Sequence, residues 1–140
     1  QVNTQIDAHY DTQSEAQNLI VKGNTNLLYR ALYNLVENAI RYNYEKGSVN
    51  ITLETRDQEG VVTIADTGVG IAPEQRELVF EPFYRVNKSR SREFGGAGIG
   101  LSLVETILKR HGASITVSEN TPQGSVFTIR IPLVDAMDSE

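Results

Sequence analysis

A chain of 140 residues, 39% hydrophobic and 22% charged, has the composition of one ordinary domain able to bury a core. The formal net charge of −5 excludes general nucleic-acid binding, which needs clustered Lys and Arg to neutralise phosphates. The absence of cysteine excludes disulfides and thiolate metal sites, and no apolar run reaches the roughly 20 residues of a membrane span.

In chain order, "QNLIVKGN" (17–24) reads as a short strand ending in a turn. Asn24 or Thr25 then caps a helix in which Leu28, Ala31, Leu32, Leu35, Val36 and Ala39 recur at helical spacing, and the pattern fails at Asn43–Gly47. "SVNITLETRD" and "VVTIAD" form a predicted hairpin with Gly60 in the turn. "PEQRELVF" is a short helix opened by Pro73, and "IGLSLVETILKRHG" a long one closed by Gly112. Between them "YRVNKSRSREFGGAG" shows no periodicity. "SITVSEN" and "SVFTIRIPL" complete the sheet as strands joined by "TPQG". Helices and strands mix without strict βαβ alternation, which predicts an α/β architecture with a sheet covered on one face by helices.

Three features carry chemistry. Asn34, Glu37, Asn38 and Arg41 fall within one narrow arc of the first helix, opposite the apolar stripe. A solvated face accounts for a lone Asn, but Asn is a mediocre helix former, and two of them at i and i+4 forgo a few tenths of a kcal/mol each. In "TIADTGVGIAP" an apolar strand delivers Asp66 at its end, followed by Gly68 and Gly70. That is either a plain turn or a carboxylate placed to accept from an exocyclic amine such as that of adenine, with Ile71 against the ring. "GGAGIGLSLVETI" sets four glycines in six residues before a helix, fits neither the dinucleotide fingerprint nor the P-loop, and offers free amides to an anion. Upstream lie Arg85, Lys88, Arg90 and Arg92, explained equally by phosphate contact and by a solvated loop.

In this order the pieces resemble the ATP-binding catalytic domain of sensor histidine kinases, a branch of the superfamily that also holds gyrase, Hsp90, MutL and the anti-sigma kinases. The resemblance implies their Bergerat-type ATP-binding fold, a two-layer α/β sandwich with a mixed, mainly antiparallel sheet covered on one face by helices. "NLVENAIRYN" looks like the N box, "DTGVGI" the G1 box, "FEPFYR" the F box and "GGAGIGL" the G2 box, over nearly the whole chain. The resemblance implies a single domain over 1–140 with a mobile ATP lid at about 80–98. It implies that Asn38, with Asn34 nearby, ligates the Mg²⁺ that bridges the phosphates, where an uncharged carbonyl oxygen suffices because the triphosphate supplies negative ligands. Arg41 reaches the phosphates, Tyr42 lies against the nucleotide, Asp66 reads the adenine amine, and Gly68, Gly70 and Ile71 shape that pocket. Tyr84, Arg85 and Lys88 approach from the lid, Gly96, Gly98, Ile99, Gly100 and Leu101 hold phosphates at the helix start, and Ser125 closes the set. Arg41 stands where Lys or His is common, and Ala97 lacks the usual G2-box hydroxyl.

Where the ATP-hydrolysing branches and the anti-sigma serine kinases begin the N box with a Glu base, this chain has Asn34. A neutral imidazole already has a lone pair, so losing that base suits transfer to histidine, with Glu37 as a candidate polarising group. The expected activity is transfer of the γ-phosphoryl group of ATP to a histidine on a separate dimerisation domain of the same parent protein, which then serves a response regulator. The alternatives are a nucleotide-binding regulatory module without phosphotransfer and an anti-sigma-type serine kinase. The two histidines, His9 and His111, lack the family's H-box context. The chain begins without Met and is expected to be a cytoplasmic piece of a longer, membrane-attached sensor, itself touching neither membrane nor nucleic acid.

Overall fold

The computed structural model describes residues 21–84 and 100–134. Helix α1 (Thr25–Arg41) begins at Asn24, whose side-chain oxygen accepts from the Leu27 amide at 3.0 Å and satisfies one of the free amides of the first turn. Its buried residues are Ala31, Leu35 and Ala39. Leu32, expected in that stripe, lies at its edge and is 40% exposed. Of the strand expected over 17–24, residues 17–20 lie outside the described residues and 21–24 are not a strand: Val21 packs on the core, and the Asn24 amide bonds to His111 rather than to a ladder.

Strands β1 (Val49–Arg56) and β2 (Glu59–Asp66) form the expected hairpin, but the turn is Asp57–Gln58, both at positive φ. This mirror-image pair matches the right-handed twist of the flanking strands, and Asp tolerates the left-handed region better than most residues. Gly60 lies inside β2 opposite Thr55 and Ile131, so the expectation that it makes the turn is corrected. "PEQRELVF" is two 3-10 turns, Pro73–Gln75 and Leu78–Phe80, closed by i→i−3 bonds and anchored by buried Val79, in place of one short helix. Helix α2 (Gly100–Arg110) ends as expected: Gly112 takes φ +71°, and the Ala113 amide returns to the Leu108 carbonyl at 2.8 Å.

With β3 (Ser114–Glu119) and β4 (Ser125–Pro132) the sheet runs β1-β2-β4-β3, antiparallel at every ladder. One face carries Val49, Ile64, Ile115, Phe127, Ile129 and Ile131, which meet Leu35 of α1 and Val104, Ile107 and Leu108 of α2. Each large apolar side chain buried there contributes about 1.5–3 kcal/mol. The other face carries Thr52, Thr63, Thr128 and Thr116 in one row across all four strands, with the Thr52 and Thr63 hydroxyls hydrogen-bonded to each other. The layer arrangement is the one predicted, and it sets the C-terminal ends of α1 and β2 side by side, where the Val69 amide donates to the Tyr42 carbonyl at 3.1 Å. No helix among the described residues is long and apolar enough to cross a membrane.

Candidate functional site

The polar row of α1 exists as the spacing required. Asn34, Glu37, Asn38 and Arg41 are all half-buried. Among the described residues the row is joined internally by one loose ion pair, Arg41 Nη2 to Glu37 Oε2 at 3.7 Å. An i,i+4 pair this exposed contributes a few tenths of a kcal/mol, so these side chains are held chiefly by the helix itself. Tyr42 follows at the helix end, its amide donating to the Asn38 carbonyl at 3.2 Å.

Asp66, at the end of β2, is buried, and its Oδ1 accepts from the Gly68 amide at 2.8 Å and the Ser125 amide at 3.2 Å. Desolvation pushes its carboxyl above the ordinary carboxylate range, against the lowering effect of those two amides. Both amides fall on Oδ1, and among the described residues no hydrogen bond reaches Oδ2. A buried carboxylate with one oxygen saturated by backbone and the other open fits an exocyclic amine donor.

The surrounding loops lock this carboxylate to α1. A Cβ on Gly68 would stand 2.2 Å from the Tyr42 carbonyl oxygen, so no side chain fits there. Asn43 is buried, its Nδ2 donating to the Ser48 carbonyl at 2.9 Å and its Oδ1 accepting from the Tyr44 amide at 2.8 Å and from Thr67 Oγ1 at 3.1 Å. From the other side Asn120 Nδ2 donates to the Asp66 carbonyl at 2.8 Å and Gln123 Nε2 to the Gly68 carbonyl at 3.0 Å. Gly124 takes φ +113°, and a Cβ on it would come within 1.9 Å of the Asp66 carbonyl oxygen. Sequence reading missed Asn43, Thr67, Asn120, Gln123 and Gly124. The Asn and Gly of "SENTPQG" mark a turn, and only the tertiary structure shows that the turn folds back onto "ADTG".

Asp66, Gly68, Gly70 and Ser125 therefore come together, with Tyr42 beside them and the Asn34–Arg41 row leading away along α1. Ile71 is half-buried and packs on the core, as does Leu101. Gly100 opens α2, and among the described residues nothing lies within 4 Å of an added Cβ there. Tyr84 is half-buried. Arg85, Lys88, Gly96, Gly98 and Ile99 lie outside the described residues, as does His9. Among the described residues no three His, Asp or Glu side chains converge on a metal position.

Residues 23–135 match the family described as histidine kinase-, DNA gyrase B- and HSP90-like ATPases. The chain belongs to that family, a class that binds ATP, and its relatives place it on the sensor histidine kinase branch. It is 45% identical over 130 residues to the sensor histidine kinase RppB of Synechocystis, covering 91% of this chain and 29% of that protein. It is 41% identical over 135 residues to the sensor-like histidine kinase SenX3 of Mycobacterium tuberculosis, covering 96% of this chain and 32% of SenX3. The chain thus spans about a third of the length of these relatives. Its backbone superposes on the catalytic domain of the histidine kinase ThkA with a TM-score of 0.76 at 31% identity, over 91% of this chain and 80% of that one. ThkA has also been solved in complex with the response regulator protein TrrA.

Proposed function

We propose that the chain binds ATP as its Mg²⁺ complex and donates the γ-phosphoryl group to a histidine on a separate dimerisation domain of the same parent protein, for passage to a response regulator. The observation that carries this reading is Asp66, a buried carboxylate held by two backbone amides on one oxygen and open on the other, next to a helix face of amides and one guanidinium. Asp66 Oδ2 accepts from the adenine amine and Tyr42 lies against the nucleotide. Asn38 and Asn34 would hold the metal, which would supply charge neutralisation for the phosphates. Arg41, Arg85 and Lys88 add positive charge, and the backbone amides at Gly100 and Leu101 meet phosphate oxygens at a helix N-terminus.

Transfer forms a nitrogen–phosphorus bond from the imidazole lone pair and breaks the bond between the γ-phosphorus and the bridging oxygen, which leaves with its electron pair on ADP. No general base is needed for that attack, in keeping with Asn34, and Glu37 accepts a hydrogen bond from the incoming ring. Hydrogen bonds at both Nδ1 and Nε2 of His111 support an acceptor supplied from outside this chain. The test is incubation with γ-labelled ATP, with and without an acceptor domain that carries the histidine. Acid-labile label on the acceptor in trans and none on the chain alone supports the proposal. Nucleotide binding with no label on any acceptor favours a regulatory module, and acid-stable label favours a serine kinase.

A further inference from the structure

His111 ties the two ends of the helical layer together. Its Nδ1 lies 2.8 Å from the Ile107 carbonyl oxygen, one turn back on α2, and its Nε2 lies 3.0 Å from the Asn24 amide nitrogen, at the start of α1. A carbonyl only accepts and an amide N–H only donates, so the ring must be the neutral tautomer with its proton on Nδ1. The contact is close: a Cβ on Gly23 would stand 2.2 Å from the His111 Cδ2. Asn24 is thereby used three times: its amide donates to His111, its Oδ1 accepts from Leu27, and its carbonyl accepts from Leu28 at 2.9 Å.

The start of α1 thus meets the end of α2, and the two helices run antiparallel. The opposite ends carry the candidate phosphate site: Asn38 lies 14 residues beyond Asn24, about 21 Å along the helix at 1.5 Å per residue, and α2 begins at Gly100. We infer that His111 is a positioning residue for nucleotide phosphate binding: by fixing the start of α1 to the end of α2 it sets how far the Asn34–Asn38 row stands from the amides that open α2. Hydrophobic packing between the two helices resists separation but permits small sliding. A directional hydrogen bond from a neutral imidazole fixes the register. The inference rests on the proposed assignment of those two elements to metal and phosphates.

The test separates the two ring nitrogens. In His111→Gln the amide oxygen takes the place of Nε2 as acceptor for the Asn24 amide. In His111→Asn the side-chain nitrogen takes the place of Nδ1 and the link to α1 is lost. Calorimetry on the 140-residue chain compares adenosine, which uses the adenine end alone, with Mg²⁺-ATP, and thermal melts confirm folding of each variant. The expected result is wild-type affinity for both ligands in the Gln variant. In the Asn variant adenosine binding is retained, while the Mg²⁺-ATP affinity falls about fivefold, the weight of one hydrogen bond. Equal losses for adenosine and Mg²⁺-ATP in the Asn variant, or no loss for either, would overturn the positioning role. Nitrogen-detected NMR of His111 tests the geometry without any nucleotide: a proton on Nδ1 supports the clasp, and a proton on Nε2 removes it. A wild-type chain with the Nδ1–H tautomer but no binding of Mg²⁺-ATP would sink the proposed function and leave the clasp standing.

Discussion

The two ends of the candidate site are built by different means. Around Asp66 nearly every polar atom is committed: two amides hold the carboxylate, and Asn120 and Gln123 hold the carbonyls of the same loop. Gly68 and Gly124 let backbone approach backbone where any side chain would collide. Along α1 the row from Asn34 to Arg41 has one loose internal ion pair at 3.7 Å and half-buried side chains. The Asp66 end is thus preorganised by backbone. On the proposed reading it takes the adenine with little loss of freedom, whereas the groups along α1 would have to be ordered by metal and phosphates, at a cost taken from the binding energy.

Asp66→Asn should have the largest effect on binding. The Asn oxygen can still accept from Gly68 and Ser125, which presents an N–H donor to the adenine amine, so affinity should fall about 100-fold, near 2.7 kcal/mol. Calorimetry checks this, and a loss below threefold would remove Asp66 as the adenine reader. Gly124→Ala breaks the same end through its scaffold. It forces a side chain onto the Asp66 carbonyl at positive φ, and the folded state should lose about 2–3 kcal/mol in a denaturant titration. Asn38→Asp tests the other end: Mg²⁺-ATP should bind about tenfold more weakly from added repulsion at the phosphates, with adenosine unchanged and the melting temperature within a few degrees.

The comparison also has a pH signature. Burial raises the folded-state pKa of Asp66 above its unfolded value, so the folded protein holds that proton more readily than the unfolded chain. The ionised carboxylate therefore costs stability above the folded pKa, and this cost disappears as pH falls toward the unfolded value. Without ligand, Asp66→Asn should melt at or above the wild-type temperature at pH 7, and the gap should close on acidification. A wild type more stable than Asp66→Asn at pH 7, with the gap widening as pH rises, would contradict the desolvation argument. The smallest effect is expected for Arg41→Lys: the exposed pair with Glu37 is worth a few tenths of a kcal/mol, so stability should stay within about 0.5 kcal/mol and Mg²⁺-ATP affinity within about threefold.

The same contrast explains what could be read in advance. The Asn row was legible because helical periodicity fixes which residues share an arc, and the strand-end position of Asp66 followed from the apolar run before it. The four strands and two long helices followed from periods of 2 and 3.6, whereas the antiparallel pairing at every ladder is a tertiary fact that no period encodes. Local cues failed where a competing contact decided: Gly60 is buried opposite Ile131 instead of turning the hairpin, and residues 21–24 serve the α1 cap instead of a ladder. The struts of the adenine end were invisible because Asn43, Asn120 and Gln123 act across 24 to 55 positions of chain. Nothing in a linear pattern distinguishes such an Asn from one that merely ends a helix or starts a turn.

The threonine row of the open sheet face has a practical consequence. Thr52, Thr63, Thr128 and Thr116 stand on the side of the sheet turned away from α1 and α2, at the middle of all four strands. With no native cysteine in the chain, Thr116→Cys on the outer strand β3 creates a unique thiol for a fluorophore or a surface tether. A label there is separated from the helical layer by the thickness of the sheet, and among the described residues no helix packs on that face, so nucleotide binding can be followed from the side opposite α1 and α2.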